Sequence, residues 1–312
     1  MTKLTKINSR VLLLIKILFV AVLLYVIYLQ LNKAASSQED QLILSKPLGL
    51  LLTLLLMPLN WALEGLKWRS ILLKLKNRIP LKTLLFSLFT GISASLFTPN
   101  RAGNFIGRMI WFGSAIRVQV SVLSIYGNMA QWLSSIIFGL VGLTLGQFFQ
   151  IPELQLWQLI GLACIIGLVV MLYFVPFWAP QFLGRFVYPR KMEHAARILK
   201  EHHNLKWELL IYSLLRHAVF STQFVLTLYA FGIPINGQLF YAVWITYLIM
   251  TLIPSPLLGK LLIRESVALF VIGAMSINSS TILLSTVLIW FINLSIPAII
   301  GGIIWLKWKP LQ

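Results

Sequence analysis

Four stretches of this chain, 118–152, 154–184, 218–259 and 266–306, contain no Asp, Glu, Lys or Arg. A helix crosses the hydrocarbon core of a bilayer with about 20 apolar residues, so runs of this length exceed what the core of a soluble domain uses. Only 11% of the residues are charged, whereas a soluble chain carries about 25%. The expected fold is all-α, a polytopic transmembrane helical bundle that forms a single integral membrane domain over residues 1–312.

The charge is lopsided, with 26 Lys and Arg against 8 Asp and Glu. Such a balance suggests nucleic acid, but the basic residues lie between apolar spans, and no nucleic-acid partner is expected. Twelve of them fall in two segments: Lys67, Arg69, Lys74, Lys76, Arg78 and Lys82, then Arg185, Arg190, Lys191, Arg197, Lys200 and Lys206. This is the positive-inside pattern, with anionic lipid headgroups as the partner of the basic cytoplasmic loops. The N-terminus (Lys3, Lys6 and Arg10 before an apolar run) has the outline of a signal peptide, but no small-residue cleavage site follows at Tyr28-Leu29-Gln30, so it reads as an uncleaved first span. Both termini are then cytoplasmic. The single cysteine, Cys164, leaves no disulfide framework.

Full spans are expected at about 11–31, 47–66 with a kink at Pro58, 118–146, 155–178, 209–231 and 282–306. The stretch 190–206 has the pattern of an amphipathic helix lying on the surface. Two apolar segments are short and broken by proline. The run 83–98 stops at Pro99, and 238–253 stops at Pro254 and Pro256. Placing Arg101, Arg108 and Arg117 outside would break the charge rule, so 83–112 reads as a re-entrant hairpin from the cytoplasmic side. The segment 238–275 is its counterpart in the second half. Paired broken helices are the sequence mark of a transporter with an inverted repeat, although hydropathy spacing alone carries that reading.

These two breaks hold the residues best suited to chemistry. Pro99 interrupts the backbone hydrogen bonds, and Gly103 permits a tight turn or close packing. Arg101 and Arg108, seven apart, share a face if the segment is helical. A helix N-terminus flanked by guanidinium groups suits a phosphate; the alternative is that both arginines anchor a helix at the interface. In the second break, Lys260, Arg264 and Glu265 follow Pro254 and Pro256. Ionisable groups within an apolar run are candidate functional residues, and solvated charges on an external turn are the alternative. Arg264 and Glu265 point about 100° apart on a helix and are expected to seek different partners. Arg216, beside His217, is expected to snorkel back to the surface. Asn128 and Gln131 suit hydrogen bonds between helices. His194, His202 and His203 match no metal-site spacing. The one aspartate, Asp40, and the lack of clustered carboxylates or nucleotide fingerprints argue against an enzyme. No metal or other cofactor is expected.

With these features in order, the chain resembles the lysylphosphatidylglycerol synthase transmembrane-region family of flippase-like proteins. The resemblance is carried by Trp68-Arg69 with Leu72-Leu73, by Pro99-Asn100-Arg101-Ala102-Gly103 and by Pro254, Gly259 and Arg264-Glu265. It implies a membrane protein that moves lipid between leaflets, without the soluble synthase domain. Asn104 and Lys260 stand where that family often has acidic or apolar residues, which implies an anionic substrate. The leading reading is a translocator of a phospholipid or lipid-linked glycan, with Arg101, Arg108, Lys260 and Arg264 binding its phosphate. The alternative is a non-transporting scaffold that recruits an envelope-synthesis enzyme through Arg190, Lys191 and Arg197. A third reading, a cryptic transferase, depends on Glu265.

Overall fold

A computed structural model describes residues 25, 44–75, 78–96, 98, 103–146, 164, 167, 168, 170, 171, 173, 174, 197–253 and 259–307. All the regular elements among them are helices, with no strand. In chain order these are α1 (Pro47–Leu75), α2 (Leu81–Ser95), α3 (Gly103–Met109), α4 (Arg117–Leu145), α5 (His203–Ala230), α6 (Gly237–Leu252), α7 (Gly259–Gly273) and α8 (Ser279–Trp290). A π-helical turn (Phe291–Ser295) then leads into α9 (Ile296–Lys307). Among the described residues, four segments are long and apolar enough to cross a membrane: α1, α4, α5 and the continuous helix Ser279–Leu306. The fold is thus an all-α polytopic bundle. The segments 11–31 and 155–178 lie largely outside the described residues. Of the segment 190–206, the described part is helical at 197–201 and enters α5 at His203.

Helix ends follow local chemistry. Pro47 opens α1, where its missing N–H has no intrahelical partner to lose. Lys46 donates its backbone N–H to Ala230 O at 3.0 Å, which ties the start of α1 to the end of α5. After α5 the chain reverses through Gly232, whose φ of 93° suits a residue without a Cβ. Asn236 and Asn278 cap α6 and α8 by accepting from the backbone N–H of Leu239 and Ser280, each at 2.8 Å.

One boundary differs from the sequence reading. The basic segment after residue 66 is not a loop at its start, because α1 continues to Leu75 and carries Lys67, Arg69 and Lys74. Its 29 residues span about 43 Å at 1.5 Å each, more than the ~30 Å hydrocarbon core. The helix also runs through Pro58 without ending there.

The apolar interior falls into two main clusters. Trp68, Leu72, Leu88, Leu123 and Leu209 belong to the first, and Phe224, Val243, Val271 and Ile282 to the second. Helix α5 contributes to both, and its buried residues between them are polar: Ser213, His217, Ser221 and Gln223. The α2–α3 hairpin is closed by backbone approach. A Cβ at Gly107 would strike the Thr90 carbonyl, and one at Gly103 would strike that of Ala94. Thr90 Oγ1 donates to Gly107 O at 2.9 Å across the same contact. α9 packs behind α2, where a Cβ at Gly301 would meet the Phe89 carbonyl. The π turn just before it has a cause in Pro297, whose ring would collide with the carbonyl four residues back in a regular α-helix.

These contacts give a paired prediction. Gly301→Ala should cost about 1–3 kcal/mol, since the Phe89 backbone cannot move aside as a side chain would. Gly113→Ala, with nothing within 4 Å of the added Cβ, should stay within ~0.5 kcal/mol of wild type. Thermal unfolding of the two purified variants in detergent checks both.

Candidate functional site

On α1 the spacing of Thr53, Asn60, Glu64 and Lys67 returns to one face at intervals of seven, four and three. That face meets α5 and the C-terminal part of α3, and Glu64 sits at the centre. Its Oε1 accepts from Arg108 Nη2 of α3 at 2.6 Å. Its Oε2 lies 2.7 Å from Lys67 Nζ and 3.2 Å from Arg216 Nη1 of α5. The side chains of Lys67 and Arg108 are each 2% exposed, and that of Arg216 is 17% exposed. One carboxylate thus carries three cations, and the four charges sum to +2.

Neutral groups extend the site along the seam between the two apolar clusters. Arg216 Nε donates to Asn60 Oδ1 at 2.9 Å, and Arg216 Nη1 donates to Gln131 Oε1 of α4 at 3.2 Å. Asn60 Nδ2 donates to Asn293 Oδ1 in the π turn at 2.7 Å, and Asn293 Nδ2 to Gln223 Oε1 at 3.0 Å. Gln223 Nε2 ends the ladder on Thr53 O at 2.9 Å. From Thr53 to Lys67 this stripe runs about 21 Å along α1. His217, the neighbour of Arg216, stacks on Phe138 with centroids 4.6 Å apart, and its Nδ1 lies 3.3 Å from Ser135 Oγ.

Arg108 is held as a presented cation. Its guanidinium lies 4.6 Å from the Trp68 ring centroid, and Trp68 Nε1 is fixed by Ser87 Oγ at 2.8 Å. Among the described residues, the Nε of Arg108 and the Oδ1 of nearby Asn104 are buried without a hydrogen-bond partner. Asn104 Nδ2 donates to Asn128 Oδ1 at 3.4 Å, so Asn128 and Gln131 both bond between helices. The open Arg108 Nε is a donor that calls for an acceptor, and the open Asn104 Oδ1 is an acceptor that calls for a donor.

The second break forms a separate group. Arg264 and Glu265 lie 3.8 Å apart (Nη2 to Oε1) rather than facing away from each other. The flexible arginine stem spans the angle between neighbouring positions on the helix. Arg264 also lies 5.7 Å from the Trp290 ring centroid, and its Nε and Nη2 are buried without a hydrogen-bond partner among the described residues. Lys260 falls in α7, but its side chain lies outside the described residues, as do Pro99, Arg101, Pro254 and Pro256. Of the residues singled out from sequence, the described contacts join Arg108 to the Glu64 cluster and Arg264 to Glu265. Gly103 forms the hairpin contact. Arg216 does not snorkel, because Glu64, Asn60 and Gln131 hold it inside. Glu64 and Lys67 were missed, although Asn60, Glu64 and Lys67 at i, i+4 and i+7 form a polar face at the end of an apolar span.

The family model described as Lysylphosphatidylglycerol synthase TM region matches residues 13–301. The chain belongs to that family. Neither a curated protein nor a solved structure matches it. Membership in the lysylphosphatidylglycerol synthase TM-region family, together with four apolar helices of spanning length, establishes a multi-pass membrane protein. The matched region takes in α1, α3, α5 and the π turn, so every residue of the Glu64 cluster and its ladder belongs to the family's domain.

The cluster predicts unequal losses. Glu64→Gln leaves three buried cations facing one another and should cost about 3–5 kcal/mol, the range for breaking a buried ion pair. Arg216→Gln leaves Glu64 still paired with Lys67 and Arg108 and should cost clearly less. Detergent unfolding midpoints of the two variants give the ranking.

Proposed function

We propose that this protein is a translocator of a phosphate-bearing lipid, either a phospholipid or a lipid-linked glycan, and that it acts without catalysing a covalent step. The observation that carries the reading is the buried cluster of net charge +2 at the seam between two apolar halves. A fixed excess of positive charge in a low-dielectric interior is costly. A phosphate supplies the missing counter-charge, and guanidinium groups bind it through paired, charge-assisted hydrogen bonds. In this reading Glu64 keeps Arg108, Lys67 and Arg216 in place between transport events. The arriving headgroup takes over part of that role, while the acyl chains stay in the surrounding lipid.

Arg264, with its open guanidinium nitrogens, serves as the second station, and Arg101 and Lys260 from the same two breaks belong to the proposed path. The lysylphosphatidylglycerol synthase TM region supports a lipid as the ligand class. The positive excess supports an anionic headgroup over a cationic lysyl one. The reading includes an inner-membrane location with both termini on the cytoplasmic side, as the basic segments imply.

Headgroup-resolved flipping in proteoliposomes tests it. The purified protein should accelerate flipping of an anionic lipid over protein-free vesicles. Arg216→Gln should slow this at least tenfold, or about 1.4 kcal/mol in the barrier, at equal amounts of folded protein. Arg197→Gln, at an exposed position away from the cluster, should leave the rate unchanged. Full flipping activity in Arg216→Gln combined with Arg264→Gln would remove the assignment.

A further inference from the structure

Helix α1 has a second face, opposite the charge cluster. Pro58, Trp61, Gly65, Arg69 and Leu73 return at intervals of three and four and, with Ala62 and Leu66 beside them, form one wall of a groove of about 1070 Å³. The other wall is α2 with the residues just before it, including Leu81, Leu85 and Phe89. Gly65 keeps the groove wide, since a Cβ there would find its nearest neighbour, Leu88 Cδ2, only at 3.7 Å. Trp61 and Phe89, edge to face with centroids 5.7 Å apart, close the inner end. The rim residues Ala62, Leu66, Leu73, Leu81 and Leu85 are exposed, so the groove opens sideways, toward where acyl chains lie around the span of α1.

Its charge sits at one end. Arg69 and Arg78 line the groove near the α1–α2 connection, and both are exposed. Neither is in an ion pair among the described residues. The nearest acidic residue in sequence, Glu64, lies on the opposite face of α1 and pairs with Lys67, Arg108 and Arg216, and the next after it is Glu153. From Arg69 to Pro58 the wall is eleven residues long, or about 16 Å. That is close to half of the ~30 Å hydrocarbon core. The groove therefore has the length of a single leaflet, apolar walls along that length and two free cations at the headgroup end.

We infer that this groove holds one anionic glycerophospholipid from the leaflet beside the α1–α2 connection. Its phosphate lies between Arg69 and Arg78, and an acyl chain follows Leu66, Leu85 and Phe89 toward Pro58. Two guanidinium groups at one end select a phosphate. The exposed leucines of the rim and the one-leaflet length select a lipid over a soluble anion. The site is separate from the Glu64 cluster, with the body of α1 between them. It holds whether or not that cluster moves lipid.

Binding, not flipping, tests it, so failure here and failure of the transport reading are distinguishable. Purified full-length protein in detergent is titrated with phosphatidylglycerol, phosphatidylcholine or glycerol phosphate and followed by native mass spectrometry and thermal unfolding. Phosphatidylglycerol should be retained as one copy and raise the unfolding midpoint. Phosphatidylcholine should bind at least tenfold more weakly, and glycerol phosphate should give no shift. Arg69→Gln with Arg78→Gln should weaken phosphatidylglycerol retention at least tenfold. Ala62→Trp, which fills the groove without changing charge, should do the same, and Leu85→Trp serves if that variant does not fold. Equal retention by wild type and both kinds of variant overturns the site. So does loss in the arginine variant alone, which reduces the groove to a surface headgroup contact. Equal binding of phosphatidylcholine, an effect of glycerol phosphate as large as that of the lipid, or a lipid-free dimer closed over this face would each overturn it as well.

Discussion

One carboxylate, Glu64, holds three cations in a space with almost no water, and much of the first half of the bundle is arranged around it. Charges a few ångströms apart interact far more strongly in a protein interior than in water, so the positions of α1, α3 and α5 cannot drift independently. Helix α3 has only seven residues, too few to be stable alone. It is fixed because Arg108 is drawn to Glu64 at one end while Gly103 and Gly107 lie flush against α2 along its length. Removing the carboxylate would therefore do more than break ion pairs. It would release the short helix that presents Arg108.

The same arrangement links stability to function. A bundle built only for stability would neutralise its buried cations or replace them with apolar groups. Here three cations share one anion. The neutral ladder through Asn60, Asn293 and Gln223 satisfies hydrogen bonds without adding negative charge. The polar seam also divides the two apolar clusters, which α5 joins. Around the outside, the Arg69–Arg78 groove shows the opposite design, with exposed cations at one end and apolar walls along the rest.

Much of the fold was legible because its causes are local. Charge-free runs of spanning length announce helices whatever their neighbours do, and Gly232, Asn236 and Asn278 are turn and cap residues by their own chemistry. Arg108 stood out for similar reasons, next to a proline break and flanked by glycines. Its partner did not, because Glu64 lies 44 residues away and nothing in the spacing says which helices meet. Lys67 was assigned to a basic loop because a count of charges cannot separate a lysine facing headgroups from one facing a carboxylate. Arg216 was read as snorkelling for the same reason. Its retention inside depends on Asn60 from α1 and Gln131 from α4, which only the packing brings together. The continuation of α1 past residue 66 was also hidden, since lysine and arginine are good helix formers and do not mark an end.

The π turn at Phe291–Ser295 has a bearing on how this chain can change over generations. Such a turn is one residue more than an α-helix needs. Deleting a residue there would press the Pro297 ring against the carbonyl four residues back, and it would rotate everything beyond by about 100°. Gly301 would swing away from Phe89, and Asn293 would no longer meet both Asn60 and Gln223. The surplus residue therefore acts as a phase marker between two contacts that need different angular settings, and insertions or deletions in the last span should be tolerated only where they leave that phase intact.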